Sequence, residues 1–382
     1  MGTYGTFSGW IRWFDNDNEQ GLLLGLKNGD VRIRGTADGT FEVLDADGVV
    51  VGELNEDGVN AVRGALAGMN LDVMPMIRER VLEFAGALDT IYSMAIDKDF
   101  AYVVCGTSPT RIVRVSLSDF DTTTVLTLAD EAGFRCITHE GYLYVSQKES
   151  ITRIDLADFA TTVSVSFGSY GYFAGMVIDG DYLYVGDLGT PATLGKISLT
   201  DFSVVAQLTL GIGQGRAYDM AVSGDYLYVS LNVTPGKIVR ITLADFSTTT
   251  ELNLAGSACG QLIISDGYLY VATSSYPGTV ERVTLSDFST TVTYTAADGQ
   301  TMSSLSIENG YLYVGQGTSP AKILRILLAD FSSTTTLTLG TGENHAKALG
   351  IADGYLYATL LTTPGQLKRV SLADFSTMAS MT

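Results

Sequence analysis

The stretch GDYLYVSLNVTPGKIVRITLADFSTTTELNL, residues 224–254, reads as one β unit, and near copies of it stand on both sides. Within it Lys237 to Leu243 alternates, with Val239, Ile241 and Leu243 on one side of an extended chain and Ile238, Arg240 and Thr242 on the other. A period of two is that of a strand whose faces meet different surroundings. Asp219–Val222, Tyr226–Ser230 and Thr248–Leu254 supply three further short runs, separated by the Gly, Pro, Ser and Asp clusters that interrupt regular structure. The unit predicts four strands joined by turns.

Working outward, the Asp-Phe that closes this unit's third run recurs seven times, at Phe120, Phe159, Phe202, Phe246, Phe288, Phe331 and Phe375. The intervals are 39, 43, 44, 42, 43 and 44 residues, the length of one four-stranded blade of a β-propeller. The sequence therefore predicts an all-β chain: a seven-bladed propeller of antiparallel blades over residues 80–382, preceded by a small β-rich module at residues 1–79. Two segments compete to complete the last blade. Val81–Phe84 aligns as a fourth strand placed ahead of the first unit, whereas Ser376–Thr382 follows the seventh; the first is favoured.

Two side-chain patterns repeat with the blades. Paired aromatics at i and i+2, such as Tyr142 with Tyr144 and Tyr226 with Tyr228, stand in the second run of every unit. Aromatic faces can dock sugars, but a ring repeated at one blade position is expected instead to fill the gap between neighbouring blades. Six residues before each Phe stands Arg114, Arg153, Lys196, Arg240, Arg282, Arg325 or Arg369, and directly before each Phe an Asp. That spacing predicts an ion pair or cap across the turn between third and fourth strands.

The chain of 382 residues carries a net charge of −19, which repels phosphate backbones and anionic headgroups. Nucleic acid is not expected as a partner. No run of about eighteen apolar residues and no signal-type N-terminus occurs, so neither membrane insertion nor export is expected. Cys105, Cys136 and Cys259 have no close spacing and sit among apolar residues, which predicts buried thiols rather than a disulfide frame or a metal knuckle.

Residues 1–79 hold both tryptophans, Trp10 and Trp13, and the hairpin-forming dipeptides Asp38-Gly39, Asp47-Gly48 and Asp57-Gly58. A module this small cannot bury a deep core alone, so a homo-oligomer or a larger partner is expected to cover it. Its acidic clusters, Asp15–Gly21 and Asp45–Gly48, miss the glycine spacing of a calcium loop and read as turns. Neither metal nor cofactor is expected.

TFEVLDADGVVVGEL, residues 40–54, resembles hairpins found in bacteriophage tail and fibre proteins, and TPGKIVRITLADF, residues 234–246, with GDYLYV before it, resembles seven-bladed propellers with YVTN and NHL-like repeats. The first resemblance implies a virion structural and recognition protein, a tail fibre, head fibre or decoration protein, with residues 1–79 attached to other virion proteins. A glycan or host surface protein would then be the propeller's partner. Propellers of the second kind include lactonases as well as binding scaffolds, so a hydrolase and a cellular surface binding protein are the alternatives.

Catalytic residue types are scarce. Only His139 and His345 are available as bases, and no nucleophile elbow or phosphate loop is present. The first-to-second and third-to-fourth connections are monotonous, whereas the others vary from unit to unit. Broken symmetry of that kind predicts the binding face. Before the apolar part of each first strand stand Ser93, Arg135, Gly175, Asp219, Gln261, Ser304 and Ala348 in turn, expected at the channel mouth. Ligand contact is expected from Arg135, Tyr170, Tyr172, Arg216, Tyr218, Asp219, Gln261, His345 and Lys347; a hydrolase would use Arg135, Asp219 and Gln261.

Overall fold

The computed structural model describes residues 10–54 by the backbone of their strands, and residues 79–375 in full apart from side chains at 79, 80, 290, 291 and 374 and loop residues 85–87, 89–90, 119, 121, 130–131, 168–170 and 297–299. The chain divides into two units, residues 1–77 and 78–382.

In the first unit, strands Trp10–Asn16, Glu19–Leu26, Gly29–Gly35, Phe41–Leu44 and Val50–Leu54 pair antiparallel in chain order. The Asp-Gly dipeptides, and residues 17–18 and 45–48 of the two acidic clusters, lie outside the described residues.

The second unit is a seven-bladed β-propeller of four-stranded antiparallel blades. In the fourth blade the strands are Ala217–Ser223, Tyr226–Leu231, Lys237–Thr242 and Thr249–Asn253, from the axis to the rim. Burial follows that order. Five of the six residues of Tyr226–Leu231 are buried, because blades cover both of its faces, and this is why the run is apolar without alternation. Lys237–Thr242 buries alternate residues beyond its centre, and the Thr-rich outer strand is largely exposed.

The blades lock together through the repeated aromatics. Tyr228, 2% exposed, meets Phe288 of the next blade at 5.7 Å between ring centroids. Arg240 lies over both Tyr226, at 4.6 Å, and Phe288, at 4.7 Å. The arrangement continues round the ring, and Arg369 closes it over Phe120 of the first blade at 5.0 Å. Lys196 takes the equivalent place over Tyr182 at 3.9 Å.

Among the described residues the ion pair expected across the turn between third and fourth strands does not form, whereas the cap does, as at Asp158, Asp245 and Asp330. The cation turns to the next blade, where Arg153 Nη1 also donates to the Leu199 carbonyl at 3.1 Å. The aspartate stays in its own turn: Asp245 Oδ1 accepts from the backbone N–H of Ser247 at 3.0 Å and of Thr248 at 3.1 Å. A guanidinium gains more from two ring faces and a carbonyl than from a solvated carboxylate. The Phe that follows adopts a left-handed backbone in six of the seven turns, as at Phe202 with φ 51°. A bulky side chain there is strained, and burial of its ring between blades offsets the cost.

Ring closure follows the favoured alternative. Glu79–Glu83 pairs antiparallel with Gln366–Ser371, placing Leu82 opposite Leu367, and supplies the outer strand of the seventh blade. Phe84, 3% exposed, seals it. Residues 376–382 lie outside the described residues.

Candidate functional site

The seven innermost strands neighbour one another in chain order and close, last against first. Their starts form the channel mouth, where Ser93, Arg135, Gln261 and Ala348 line the cavity as the sequence predicts, while at Gly175, Asp219 and Ser304 the lining residue is instead the one before. β-Bulges between Ile91 and Ser93, Phe173 and Gly175, Ala217 and Asp219, Met302 and Ser304, and Ala346 and Ala348 each insert an extra residue. A bulge puts two residues opposite one and re-aims the side chain. Tyr92, Ala174, Tyr218, Ser303 and Lys347 therefore line a cavity of about 250 Å3, while Asp219, 5% exposed, and Ser304, 1% exposed, are buried.

The residues beside the bulges tie blade to blade. Ser93 Oγ accepts from Cys136 N at 3.3 Å, Asp219 Oδ2 from Leu262 N at 3.0 Å, and Gln261 Oε1 from Leu305 N at 2.7 Å. Each bond runs to the inner strand of the following blade. Arg135 spans further: its Nη2 lies 2.7 Å from Asp219 Oδ1 and 3.3 Å from the Tyr218 carbonyl, and its Nε donates to the Ala174 carbonyl at 3.2 Å. Burial pushes the Asp219 carboxyl above the usual carboxylate range, with the Arg135 charge and the Leu262 N–H pulling back. The three residues of the hydrolase alternative are thus all engaged in joining blades.

Of the expected ligand residues, Arg135, Arg216, Tyr218, Gln261 and Lys347 share the cavity. Tyr172 stands beside it, edge-on to the lining residue Phe134 at 4.8 Å. Phe134 in turn stacks on Tyr92 at 5.0 Å and 20°. Phe134, Tyr92 and Ser303 were not among the expected residues; a bulge leaves no mark in a hydrophobic pattern, and Phe134 reads as ordinary core. Tyr170 lies outside the described residues.

His345 packs against Gly317, and burial, with the Lys347 charge as a lesser cause, lowers its pKa below the ordinary imidazole value. His139 ends its strand 3.9 Å from Glu140. All three cysteines are buried, and burial pushes the Cys136 and Cys259 thiols up to about 12.

Part of the loop variation is structural. Glu343 of the last variable loop is held by Lys368 Nζ at 2.7 Å and accepts from Gly340 N at 2.6 Å. Gln214 Oε1 accepts from Gly211 N at 2.9 Å, and its amide donates to Glu251 at 2.7 Å. Such residues stiffen the loops that frame the mouth. Among the described residues no group of three His, Cys, Asp or Glu is placed to hold a metal ion, and no helix is long and apolar enough to cross a membrane.

Comparison with known proteins agrees with this architecture. The LVIVD repeat matches residues 214–233, the inner half of the fourth blade. No curated protein matches the chain. Among solved structures, that of U3-55K is 11% identical with a TM-score of 0.66, covering 78% of this chain and 99% of its own. The Neurospora crassa Pan2 WD40 domain is 9% identical with a TM-score of 0.64, covering 77% and 95%. Kuenenia stuttgartiensis hydrazine synthase is 11% identical with a TM-score of 0.65, covering 76% and 97%. At such identities the likeness is one of fold: the second unit is similar to each of these as a seven-bladed β-propeller.

Proposed function

We propose that the protein is a non-enzymatic recognition and scaffold protein, with residues 1–79 attaching it to a larger assembly and the propeller presenting the channel mouth to a partner. The observation that carries this reading is where the sevenfold repeat is kept and where it is given up. Between blades the same Tyr, Arg and Phe recur; at the mouth the bulged positions hold Tyr92, Ala174, Tyr218, Ser303 and Lys347. Stability needs the repeat, and a ligand without sevenfold symmetry needs it broken. The Pan2 structure similar to this chain is a WD40 domain, which is in keeping with a binding role.

The setting we favour is a virion, as a tail fibre, head fibre or decoration protein, supported by the resemblance of residues 40–54 to phage hairpins. Several copies joined through their first units would turn weak sites into avid ones. The test is the solution mass of the full chain by light scattering, beside a shortened chain beginning at Arg78. A trimer or larger for the first and a monomer for the second is expected; equal masses would remove the assembly role from the first unit. Lactone turnover that disappears in Asp219→Asn would overturn the non-enzymatic reading.

A further inference from the structure

We infer that the channel mouth binds a carboxylated sugar, with Arg216 and Lys347 meeting the carboxylate and the rings of Tyr92 and Phe134 carrying the sugar's apolar face. The inference rests on the recognition reading above and names the ligand class for that site.

Charge carries it first. The chain has a net charge of −19, yet among the described residues this cavity is lined by Arg135, Arg216 and Lys347 and by no carboxylate. Arg135 is spent on Asp219. Arg216 and Lys347 have no ion-pair partner among the described residues. Two uncompensated cations at one cavity of an acidic protein make a local field that selects an anion.

Arg216 is not required by its backbone. It has φ 59°, its N–H donates to the Gly189 carbonyl at 2.8 Å, and its carbonyl accepts from Asn232 at 3.0 Å. The fifth and seventh blades place Ala258, φ 54°, and His345, φ 52°, in the corresponding links. The fold therefore asks only for a left-handed residue, which glycine adopts without strain. A long cationic side chain at this point serves something other than the turn.

The ring strip gives the ligand its second property. Tyr92 and Phe134 stack at 5.0 Å, and Tyr172, 38% exposed, continues the strip beyond the cavity. Partly exposed aromatic rings beside hydrogen-bonding residues suit a flat C–H surface edged with hydroxyls, and Tyr218 and Gln261 line the same cavity. At about 250 Å3 the cavity is smaller than the roughly 300–1,000 Å3 of sites for drug-sized ligands. It suits one sugar ring better than a folded peptide segment.

The experiment is titration calorimetry of the full chain with short oligomers of glucuronic acid and with neutral glucose oligomers of equal length. Acidic oligomers are expected to bind at least about tenfold more tightly than neutral ones, and to weaken as salt rises because both cations are partly exposed. Arg216→Gly, which keeps the left-handed turn, and Lys347→Met, which keeps the aliphatic stem, should each lower affinity about tenfold, the scale of one charge-assisted hydrogen bond. Equal affinity for acidic and neutral oligomers would overturn the carboxylate assignment while leaving recognition intact. Unchanged affinity in both variants would overturn the site. Binding of a glutamate-rich peptide, sensitive to both variants, in place of any saccharide would overturn the sugar class. If no ligand binds while the full chain assembles and the shortened chain does not, this inference fails alone.

Discussion

Arg135 of the second blade and Asp219 of the fourth meet at 2.7 Å across the channel mouth, passing over the third blade, whose Ala174 carbonyl the same guanidinium also bonds. The pair is a cross-brace between strands that share no sheet. Removing only the cation would leave a buried carboxylate with the Leu262 N–H and no counter-charge. Arg135→Met is therefore expected to cost about 3–5 kcal/mol, and Arg135→Met with Asp219→Asn much less. Urea unfolding of the two variants checks this; equal losses would mean that the ion pair is not the source of the cost.

The inter-blade clasp predicts a graded series. Phe202 is 5% exposed, 5.9 Å from Tyr144 and 4.8 Å from the Arg153 guanidinium. Phe202→Ala should cost about 3–5 kcal/mol from lost burial, partly offset if Gly replaces Ala, because φ is 51° at this position. Arg153→Lys should cost less than Arg153→Met, since Lys196 fills the corresponding place in the next blade. A cost for Phe202→Gly above that for Phe202→Ala would show that the left-handed turn stores no strain.

Closure of the ring predicts where the chain can be shortened. A chain beginning at Arg78 retains the pairing of Leu82 with Leu367 and should unfold cooperatively. One beginning at Gly86 lacks both that strand and Phe84, and leaves Gln366–Ser371 as an unpaired edge. Limited proteolysis should then cut the second chain within the seventh blade and spare the first. Equal resistance would show that the strand is dispensable.

Acid stability should report the Asp-Phe turns. The Thr248 hydroxyl first, and then backbone N–H groups, hold Asp245 down at about 2; Ser333 and its neighbours do the same for Asp330. Hydrogen bonds also lower Asp158, from Thr161, and Asp201, from Ser198 and Ser203. Folded values below the unfolded value of about 3.9 mean that the unfolded state binds more protons in between. This contribution is present above about pH 4 and is lost as pH falls through about 2. Asp245→Asn keeps an acceptor but has no proton to gain, so its denaturation midpoint should fall less steeply over that window. An identical slope would remove Asp245 from the account.

The fold was legible because it repeats. One Asp-Phe per blade fixes the number of blades, and the apolar second run marks the strand buried on both faces. What repetition does not record is direction: Arg240 and Asp245 are near in sequence, yet one serves the next blade and the other its own turn. At the site, Arg135, Arg216, Tyr218, Gln261 and Lys347 were legible as breaks in symmetry. The separate fates of Tyr218, in the cavity, and Asp219, beneath it, were not. A bulge alters hydrogen-bond register without altering residue type, and alternation alone cannot register it.

The strand Glu79–Glu83 also sets a waiting time. Glu83 and Gln366 hydrogen-bond across 283 residues of chain, and a ribosome adding roughly 5–20 residues per second needs about 15–60 s to cover that distance. Throughout synthesis the seventh blade's outer strand exists without its partner, and six blades can form before the circle shuts. Until then the nascent molecule is an open arc with two bare edges, able to capture a neighbour's strand as readily as its own, so crowding on one message should trap interlocked pairs that dilution does not separate.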